Sequence, residues 1–157
     1  MRRLLFLPFV VIFGHSCKEA TDPATEVAFT VTLDRTSAAP GESVRITVTA
    51  MNISSRRISL GGDCIPVGFR VYDATGLRVG PVVGWEASFA CYDEIDNRIA
   101  PGGRLNYGFF WSPIVNYGVA TTVVPIPPGT YTILGGLREG EGLRPVSEPV
   151  LFEVLAP

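Results

Sequence analysis

Short stretches of this chain alternate between apolar and polar residues, which is the pattern of strands with one buried face. The first, VAFTVTL, runs from Val27 to Leu33, and the clearest, VRITVTAM, runs from Val44 to Met51. Because successive side chains of a strand point to opposite faces of the sheet, each stretch predicts a strand whose apolar side lies in the core. The same alternation marks four later segments: 68–72, 105–111, 131–133 and 150–154.

Turn-forming residues separate these stretches and favour an all-β chain. The sequence holds 17 glycines and 13 prolines, many of them between the predicted strands. Beyond the N-terminal segment, no stretch of ~10 residues or more has the periodicity and caps of a helix. A series of about seven to nine short strands joined by turns predicts an antiparallel, immunoglobulin-like β-sandwich over residues 27–156.

Three details refine this prediction of the fold. Tyr131 follows a Pro-Gly turn, the position at which sandwich domains carry a tyrosine whose hydroxyl bonds to upstream backbone. Trp111 is in phase with Tyr107 and Phe109, and so we expect it to fill the core. The glycines within residues 135–145 predict a mobile hairpin tip.

The N-terminal segment has a different pattern, that of an export signal. Arg2 and Arg3 precede an apolar run from Leu4 to Phe13, and small residues follow it. An apolar run of about ten residues is too short to span a bilayer but suits a secretory signal peptide. We therefore expect residues 1–16 to be a signal peptide, residues 17–26 to be a flexible tether, and the protein to be exported to the bacterial cell envelope.

Cys17 lies where bacterial lipoproteins carry the cysteine that is acylated after signal cleavage, with Ser16 as the small residue before it. Gly14 stands where such sites usually have leucine, and His15 is bulky for its position. Lipidation of Cys17, which would anchor the protein to a membrane, is the interpretation we favour. The alternative is a conventional signal peptide cleaved nearby, which would leave the protein periplasmic.

The other two cysteines, Cys64 and Cys91, form an even pair once Cys17 is assigned to the lipid. Disulfides persist outside the cytoplasm, so we expect these two to be bridged. In the chain-entropy model, closing a loop of about 27 residues stabilises the fold by about 3 to 4 kcal/mol. No CxxC spacing indicates a redox function, and the predicted role of the bridge is structural.

Cleavage before Cys17 also removes His15, which is the only histidine in the chain. Imidazole supplies general-base catalysis near neutral pH and most zinc and copper ligation, so the mature protein lacks the residue for those chemistries. The sole lysine, Lys18, lies in the predicted tether. A carboxylate-only catalyst such as a glycosidase is the enzyme class that this composition leaves open. We expect a non-enzymatic protein without a cofactor.

Charge and loop composition further restrict the kinds of ligand that we expect this protein to bind. Without Arg2 and Arg3, the chain carries 11 basic and 15 acidic residues, a net charge of about −4. The arginines are scattered, so we expect no nucleic-acid binding. The run from Cys91 to Asn97 gathers three carboxylates and an amide, which are ligands that calcium accepts. Its spacing matches no calcium loop, and we interpret it as a solvated loop without a metal.

Four aromatic residues are poorly explained by strand alternation and are our candidates for contact with a partner: Trp85, Tyr92, Phe110 and Tyr117. Exposed aromatic side chains at loops and strand ends commonly bind other proteins. Packing within the domain is the alternative for each of them. The apolar stretch 119–128 is a further candidate, either as a cap of the sandwich or as a contact with another chain.

The succession of four segments resembles the BsuPI family, which is named for a bacterial intracellular proteinase inhibitor. The segments are GESVRITVTAMNISSRRISL, FRVYDATGLRV, IAPGGRLNYGFFW and VPIPPGTYTILGGL, and together they lie within 40–137. The resemblance implies an immunoglobulin-like sandwich and, more distantly, proteinase inhibition. Export, the two cysteines and the apolar insertion at 114–127 depart from that family, and no inhibitory residue is carried over.

The sequence thus predicts an envelope protein that acts by recognising another protein, with a protease as the partner class that the resemblance implies. The alternative is a structural or assembly component that docks onto a larger envelope complex through a sheet edge or through residues 119–128.

Overall fold

The computed structural model describes residues 26–61, 65–81, 96–116, 123–139 and 142–157, which form an all-β sandwich. These ranges contain no helix, and hence none long and apolar enough to cross a membrane. The predicted fold class is confirmed. In chain order the strands are β1 (Val27–Leu33), β2 (Ser37–Ala38), β3 (Val44–Asn52), β4 (Ile58–Ser59), β5 (Val67–Tyr72), β6 (Arg78–Gly80), β7 (Arg98–Ile99), β8 (Arg104–Trp111), β9 (Ile114–Asn116), β10 (Val123–Pro125), β11 (Gly129–Glu139), β12 (Gly142–Val146) and β13 (Val150–Val154).

Two main sheets make up the sandwich. The first has the strand order β1-β3-β8, and the second has the order β2-β13-β11-β5-β6, with β12 paired to β11. All of these pairs are antiparallel except β13 with β2, which is parallel. With β1, β3 and β8 as strands A, B and E, and with β5, β11 and β13 as strands C, F and G, this is the sheet assignment of immunoglobulin-like domains. Two short pairs, β4 with β7 and β9 with β10, lie outside the main sheets.

The inward faces of the two sheets form one hydrophobic core. Alternate residues of β3 are fully buried from Val44 to Ala50, as the alternation in the sequence predicts. Aromatic rings join the sheets: Phe69 of β5 lies 5.5 Å from Phe109 of β8, and Trp111 of β8 lies 5.7 Å from Phe152 of β13, measured between ring centroids. Trp111 is buried, so its predicted place in the core is confirmed.

A glycine allows the two sheets to approach each other closely at one point. Gly135 of β11 faces Val31 of β1 and Val48 of β3. A Cβ atom at position 135 would lie 2.6 Å from a methyl carbon of Val31 and 2.9 Å from one of Val48. Real Cβ contacts do not reach such distances, because interiors are already packed at crystal density. Only glycine fits between the sheets at this position.

The predicted tyrosine corner is present. Tyr131 lies near the start of β11, its ring is buried, and its hydroxyl donates a hydrogen bond of 2.7 Å to the carbonyl of Pro127. The bond ties the connection entering β11 to the strand itself, which is the role of this tyrosine in sandwich domains. Burial raises the pKa of the hydroxyl above its usual value.

Two segments predicted as loops contain strand. The segment 135–145 is part of a hairpin, as the sequence predicts, but its arms are regular: β11 continues to Glu139 and β12 begins at Gly142, with the two strands paired and the tip outside the described residues. Ladder hydrogen bonds outweigh the poor strand propensity of the glycines there. The apolar stretch at 119–128 is also partly regular, since β10 pairs with β9, and Ile126 beyond it is buried.

Candidate functional site

Six of the seven residues singled out from the sequence lie outside the described residues: Cys17, Cys64, Trp85, Tyr92, Cys91 and Tyr117. The lipid, the disulfide and three of the aromatic contacts therefore remain predictions. The seventh residue, Phe110, lies in β8 and can be placed.

Phe110 is an exposed aromatic side chain on the outer face of the three-stranded sheet. It is 67% exposed, whereas Phe109 and Trp111 on either side of it are buried. The contrast follows from the period of two in β8, which directs Phe109 and Trp111 into the core and Phe110 away from it. Phe110 cannot be part of the core, and packing within the domain does not explain its presence.

The surface around Phe110 consists of the outward-facing side chains of β1, β3 and β8, which we call the outer face. Its charged members are both arginines, and it carries no carboxylate, although acidic residues outnumber basic ones in the whole chain. Four threonines occupy its middle. Its residues are Ala28, Thr30, Thr32, Arg45, Thr47, Thr49, Met51, Arg104, Asn106, Gly108 and Phe110.

Arg45 and Phe110 are cross-strand neighbours at one end of the outer face. They are register partners in the β3–β8 ladder, and the next pair on this face is Thr47 with Gly108. The Nη2 and Nε atoms of Arg45 lie 3.7 and 3.8 Å from the position that a Cβ atom would have at Gly108. The guanidinium thus lies over the glycine, on the strand next to the exposed ring, and a methyl group at position 108 would meet it in ordinary van der Waals contact.

The backbone of Arg45 is held from the other side by Asp34. The amide of Arg45 donates to Oδ1 of Asp34 at 3.0 Å, and the amide of Asp34 donates to the carbonyl of Arg45 at 3.1 Å. In the middle of the face, the Thr49 hydroxyl donates to Oδ1 of Asn106 at 2.8 Å. These bonds hold the backbone of Arg45 and the side chains of Thr49 and Asn106 in place.

The outer face combines an exposed aromatic ring with guanidinium groups, and both kinds of side chain are enriched at protein interfaces. In the described parts of the chain, no cluster of three or more histidine, cysteine, aspartate or glutamate residues is placed to hold a metal ion. On the described strands β1, β3 and β8, the outer face pairs no nucleophile with a base.

Two residues of the acidic run at 91–97 are described, and both have structural partners. Oδ1 of Asp96 accepts from Nε of Arg98 at 2.7 Å, and the pKa of the Asp96 carboxyl is lowered chiefly by this hydrogen bond. Asn97 is buried, and its side-chain oxygen accepts from the hydroxyl of Tyr107 at 3.0 Å. The rest of the run lies outside the described residues.

The most deeply buried charged side chain is Arg70 of β5, which faces away from the core under β12. Its Nη1 donates to the carbonyl of Phe69 at 2.9 Å, and Nη2 lies 3.5 Å from the carbonyl of Gly142. Gly68 gives room for these groups, since Nε of Arg138 lies 3.0 Å from the position of a Cβ there. These contacts tie β12 to the sheet.

The sequence did not identify Arg45 as a neighbour of Phe110. The alternation placed both on the wet side of their strands, but their proximity depends on the β3–β8 register, which nothing in either strand specifies alone. The outward glycine at position 108 was the available signal, because glycine in a strand marks close approach by another group.

Comparison with known proteins does not assign a family. No protein-family model matches the chain, and no curated protein sequence matches it. Among solved structures, a mutant β-glucosidase from Listeria innocua in complex with laminaribiose matches 83% of this chain at 17% identity with a TM-score of 0.46. A β-glucosidase from Erythrobacter marinus matches 82% at 14% identity with a TM-score of 0.48. The chain spans 16% and 15% of the length of these enzymes, and a likeness this low says nothing about its activity.

Proposed function

We propose that this chain is a non-enzymatic, exported protein, anchored through a lipid on Cys17, whose immunoglobulin-like domain recognises another protein through the outer face. The N-terminal pattern supports export, and the composition supports a role without catalysis, since the predicted mature chain has no histidine. The domain supplies a rigid surface at the end of a tether, which is a suitable arrangement for capture of a partner at a membrane.

The observation that carries the proposal is the exposure of Phe110 beside Arg45. Exposing a phenylalanine forgoes about 1.5 to 3 kcal/mol of burial free energy, which a partner would recover on binding. Phenylalanine and arginine are both enriched at interfaces, and the neutral threonines around them are cheap to desolvate relative to charged residues.

A protease is the partner class that the BsuPI resemblance supports. Incubation of the purified full chain with a panel of serine proteases tests this finer proposal. Inhibition at micromolar concentration would support it, and its absence across the panel would remove protease inhibition while leaving recognition of another protein in place.

The second candidate function is that of a subunit in a larger envelope assembly. The exposed ring of Phe110 supports it as well. The two candidates differ in the state of the protein in the membrane, since an assembly component is isolated with its partner whereas an inhibitor is isolated free until it meets a target protease. Gentle solubilisation of membranes followed by size analysis of the native protein separates them.

Photo-crosslinking in the cells that make the protein tests the site itself. A photoreactive phenylalanine analogue is placed at position 110 and, as the matched control, at Leu151, which is 64% exposed on the outer side of the other sheet. We expect a discrete crosslinked product from position 110 and none from position 151. A product from position 151 alone, or from neither position, would contradict the assignment of the outer face.

A further inference from the structure

The backbone of β8 presents hydrogen-bonding groups at an edge of the three-stranded sheet. Within the described residues β8 pairs with β3 alone. On the far side of β3, the amide of Ile53 donates to the carbonyl of Glu26, and the amide of Asp34 donates to the carbonyl of Arg45. The odd-numbered residues of β3 therefore bond to β1.

Backbone groups of successive residues in a central antiparallel strand alternate between its two neighbours. The even-numbered residues of β3 accordingly bond to β8, and the amide of Asn52 donates to the carbonyl of Gly103 at 3.1 Å as this rule requires. The register pairs even residues of β3 with odd residues of β8. The amides and carbonyls that point away from β3 are therefore those of four residues: Arg104, Asn106, Gly108 and Phe110.

These are the same four residues whose side chains lie on the outer face, and all four are exposed. An incoming strand would thus meet backbone groups and the side chains of the face together. The other edge of the sheet, at β1, differs in this respect. The β1 residues whose amides and carbonyls point away from β3 have buried side chains, as Phe29 and Val31 show. In addition, β1 contacts β12.

Strand β8 itself, among the described residues, carries none of the sequence features that normally prevent strand addition. Such edges are usually blocked by proline, lysine, a bulge or an inward-pointing charge. Strand β8 has no proline and no lysine, its register with β3 runs without a break from Arg104 to Trp111, and its inward residues are uncharged. Gly108, in the middle of the edge, has no side chain to hinder an approaching backbone.

Charge indicates what kind of strand fits. The three strands of the outer face carry arginines at both ends of β8, with Arg45 beside Phe110 and Arg104 beside Met51. The strands themselves hold no carboxylate, and that of Asp34, just past the end of β1, accepts a hydrogen bond from the backbone amide of Arg45. A second copy of this chain would bring its own arginines against these and is disfavoured. An extended segment with acidic side chains on the side that meets the face would pair with both.

We propose that the partner binds as an extended, acidic polypeptide strand that adds to β8, with its backbone bonded to Asn106, Gly108 and Phe110. The inference rests on the proposed function and specifies the mode of recognition. Main-chain hydrogen bonds would supply affinity, and the ring of Phe110 with the guanidinium of Arg45 would supply specificity.

The test uses the purified full chain and a library of ten-residue peptides displayed on phage. Peptides selected on the wild type are measured against Gly108→Pro, which removes the outward amide without touching a bond to β3. Gly108→Ala is the matched control, because it keeps the amide and its Cβ would meet Arg45 at an ordinary distance of 3.7 Å. We expect the proline variant to bind about tenfold more weakly than the alanine variant, since only in the proline variant does a partner carbonyl lose its donor.

Amide hydrogen exchange of the wild type gives a second test that needs no variant. In the free protein the amides of Asn106, Gly108 and Phe110 should exchange much faster than those of Leu105, Tyr107 and Phe109, and they should slow when a selected peptide is added. The selected peptides should be rich in aspartate and glutamate at alternate positions.

Several outcomes would overturn strand addition: protected edge amides in the free protein, equal binding by the proline and wild-type chains, selected peptides without acidic residues, self-association through β8, or no selected peptide. None of them affects the crosslinking comparison of positions 110 and 151, which tests recognition through the outer face. The failure of strand addition is thereby distinguishable from the failure of the proposed function.

Discussion

The hydroxyl of Tyr107 donates a hydrogen bond of 3.0 Å to the side-chain oxygen of Asn97, and both residues are buried. The amide nitrogen of Asn97 in turn donates to the carbonyl of Gly61 at 3.2 Å. One buried chain of hydrogen bonds therefore connects β8 to the segment before β7 and to the end of the β4 segment. These hydrogen bonds hold the segments at Gly61 and Asn97 against β8.

Replacing Tyr107 with phenylalanine should lower the free energy of unfolding by about 1 to 3 kcal/mol, because the oxygen of Asn97 would lose its donor while staying buried. Burial also raises the pKa of the Tyr107 hydroxyl from 10.0 to about 12. Below pH 10 both states are protonated, and stability does not depend on this group. Between about pH 10 and 12 the unfolded chain ionises first, so the stabilisation falls by about 2 kcal/mol.

Urea denaturation of the wild type and of Tyr107→Phe as a function of pH measures both effects. The difference in free energy of unfolding between the two proteins should be constant below pH 10 and should shrink above it. A difference that stays constant up to pH 12 would mean that the hydroxyl is not desolvated as described.

The close approach of the sheets at Gly135 predicts that Gly135→Ala destabilises the domain by about 1 to 3 kcal/mol, since the new methyl group would overlap Val31 and Val48. Gly108→Ala is the matched control, because position 108 lies in a strand of the same sandwich but faces outward. Thermal unfolding of both variants compares them directly. Equal melting temperatures would show that the sheets can separate at little cost.

The tyrosine corner gives a third prediction. Tyr131→Phe removes the hydrogen bond to the carbonyl of Pro127 and should lower the free energy of unfolding by about 1 kcal/mol without altering the fold. Tyr72→Phe serves as the control, since within the described residues the hydroxyl of Tyr72 has no hydrogen-bond partner. Chemical denaturation measures the free energy of unfolding of both variants. Equal values would mean that Tyr131 stabilises the domain through its ring and not through its hydroxyl.

Much of the sandwich could be predicted because alternation is a local signal. The predicted strand from Val27 to Leu33 has the same bounds in the structure, and β3 and β8 differ from their predictions by a residue or two. The two-residue strands β2 and β7 were missed, since two residues cannot show a period. They exist because a neighbouring strand fixes them, as the register of Glu153 with Ser37 shows for β2.

The candidate site was harder to predict than the fold. The alternation in β8 predicted that the ring of Phe110 faces outward. Its neighbours, however, depend on the register between β3 and β8. Arg45 is distant in sequence, and the position of β8 at the edge of the described sheet follows from the order of its strands. Likewise, Asn97 belonged to a run with the composition of a calcium loop, whereas its side chain is committed to Tyr107.

The N-terminal prediction is tested by Cys17→Ser. If Cys17 is the acylated residue, the wild type should fractionate with membranes and carry an acyl mass on its mature N-terminus, and the variant should lose both. Cells that make the wild type and cells that make the variant are grown and fractionated under identical conditions. Mass spectrometry then measures the mature N-terminus of each protein. If Cys17→Ser fractionates as the wild type does, and the wild type has an unmodified N-terminus, conventional signal cleavage is favoured.

The central claim is that the outer face around Phe110 binds a partner protein. The most direct measurement is the affinity of the partner identified by crosslinking for three chains: the wild type, Phe110→Ala and Leu151→Ala. The two substitutions remove side chains of similar exposure from opposite sides of the sandwich. We predict that Phe110→Ala weakens binding by about tenfold or more, as expected for an aromatic anchor, and that Leu151→Ala leaves it unchanged. Equal affinities of Phe110→Ala and the wild type would contradict the account.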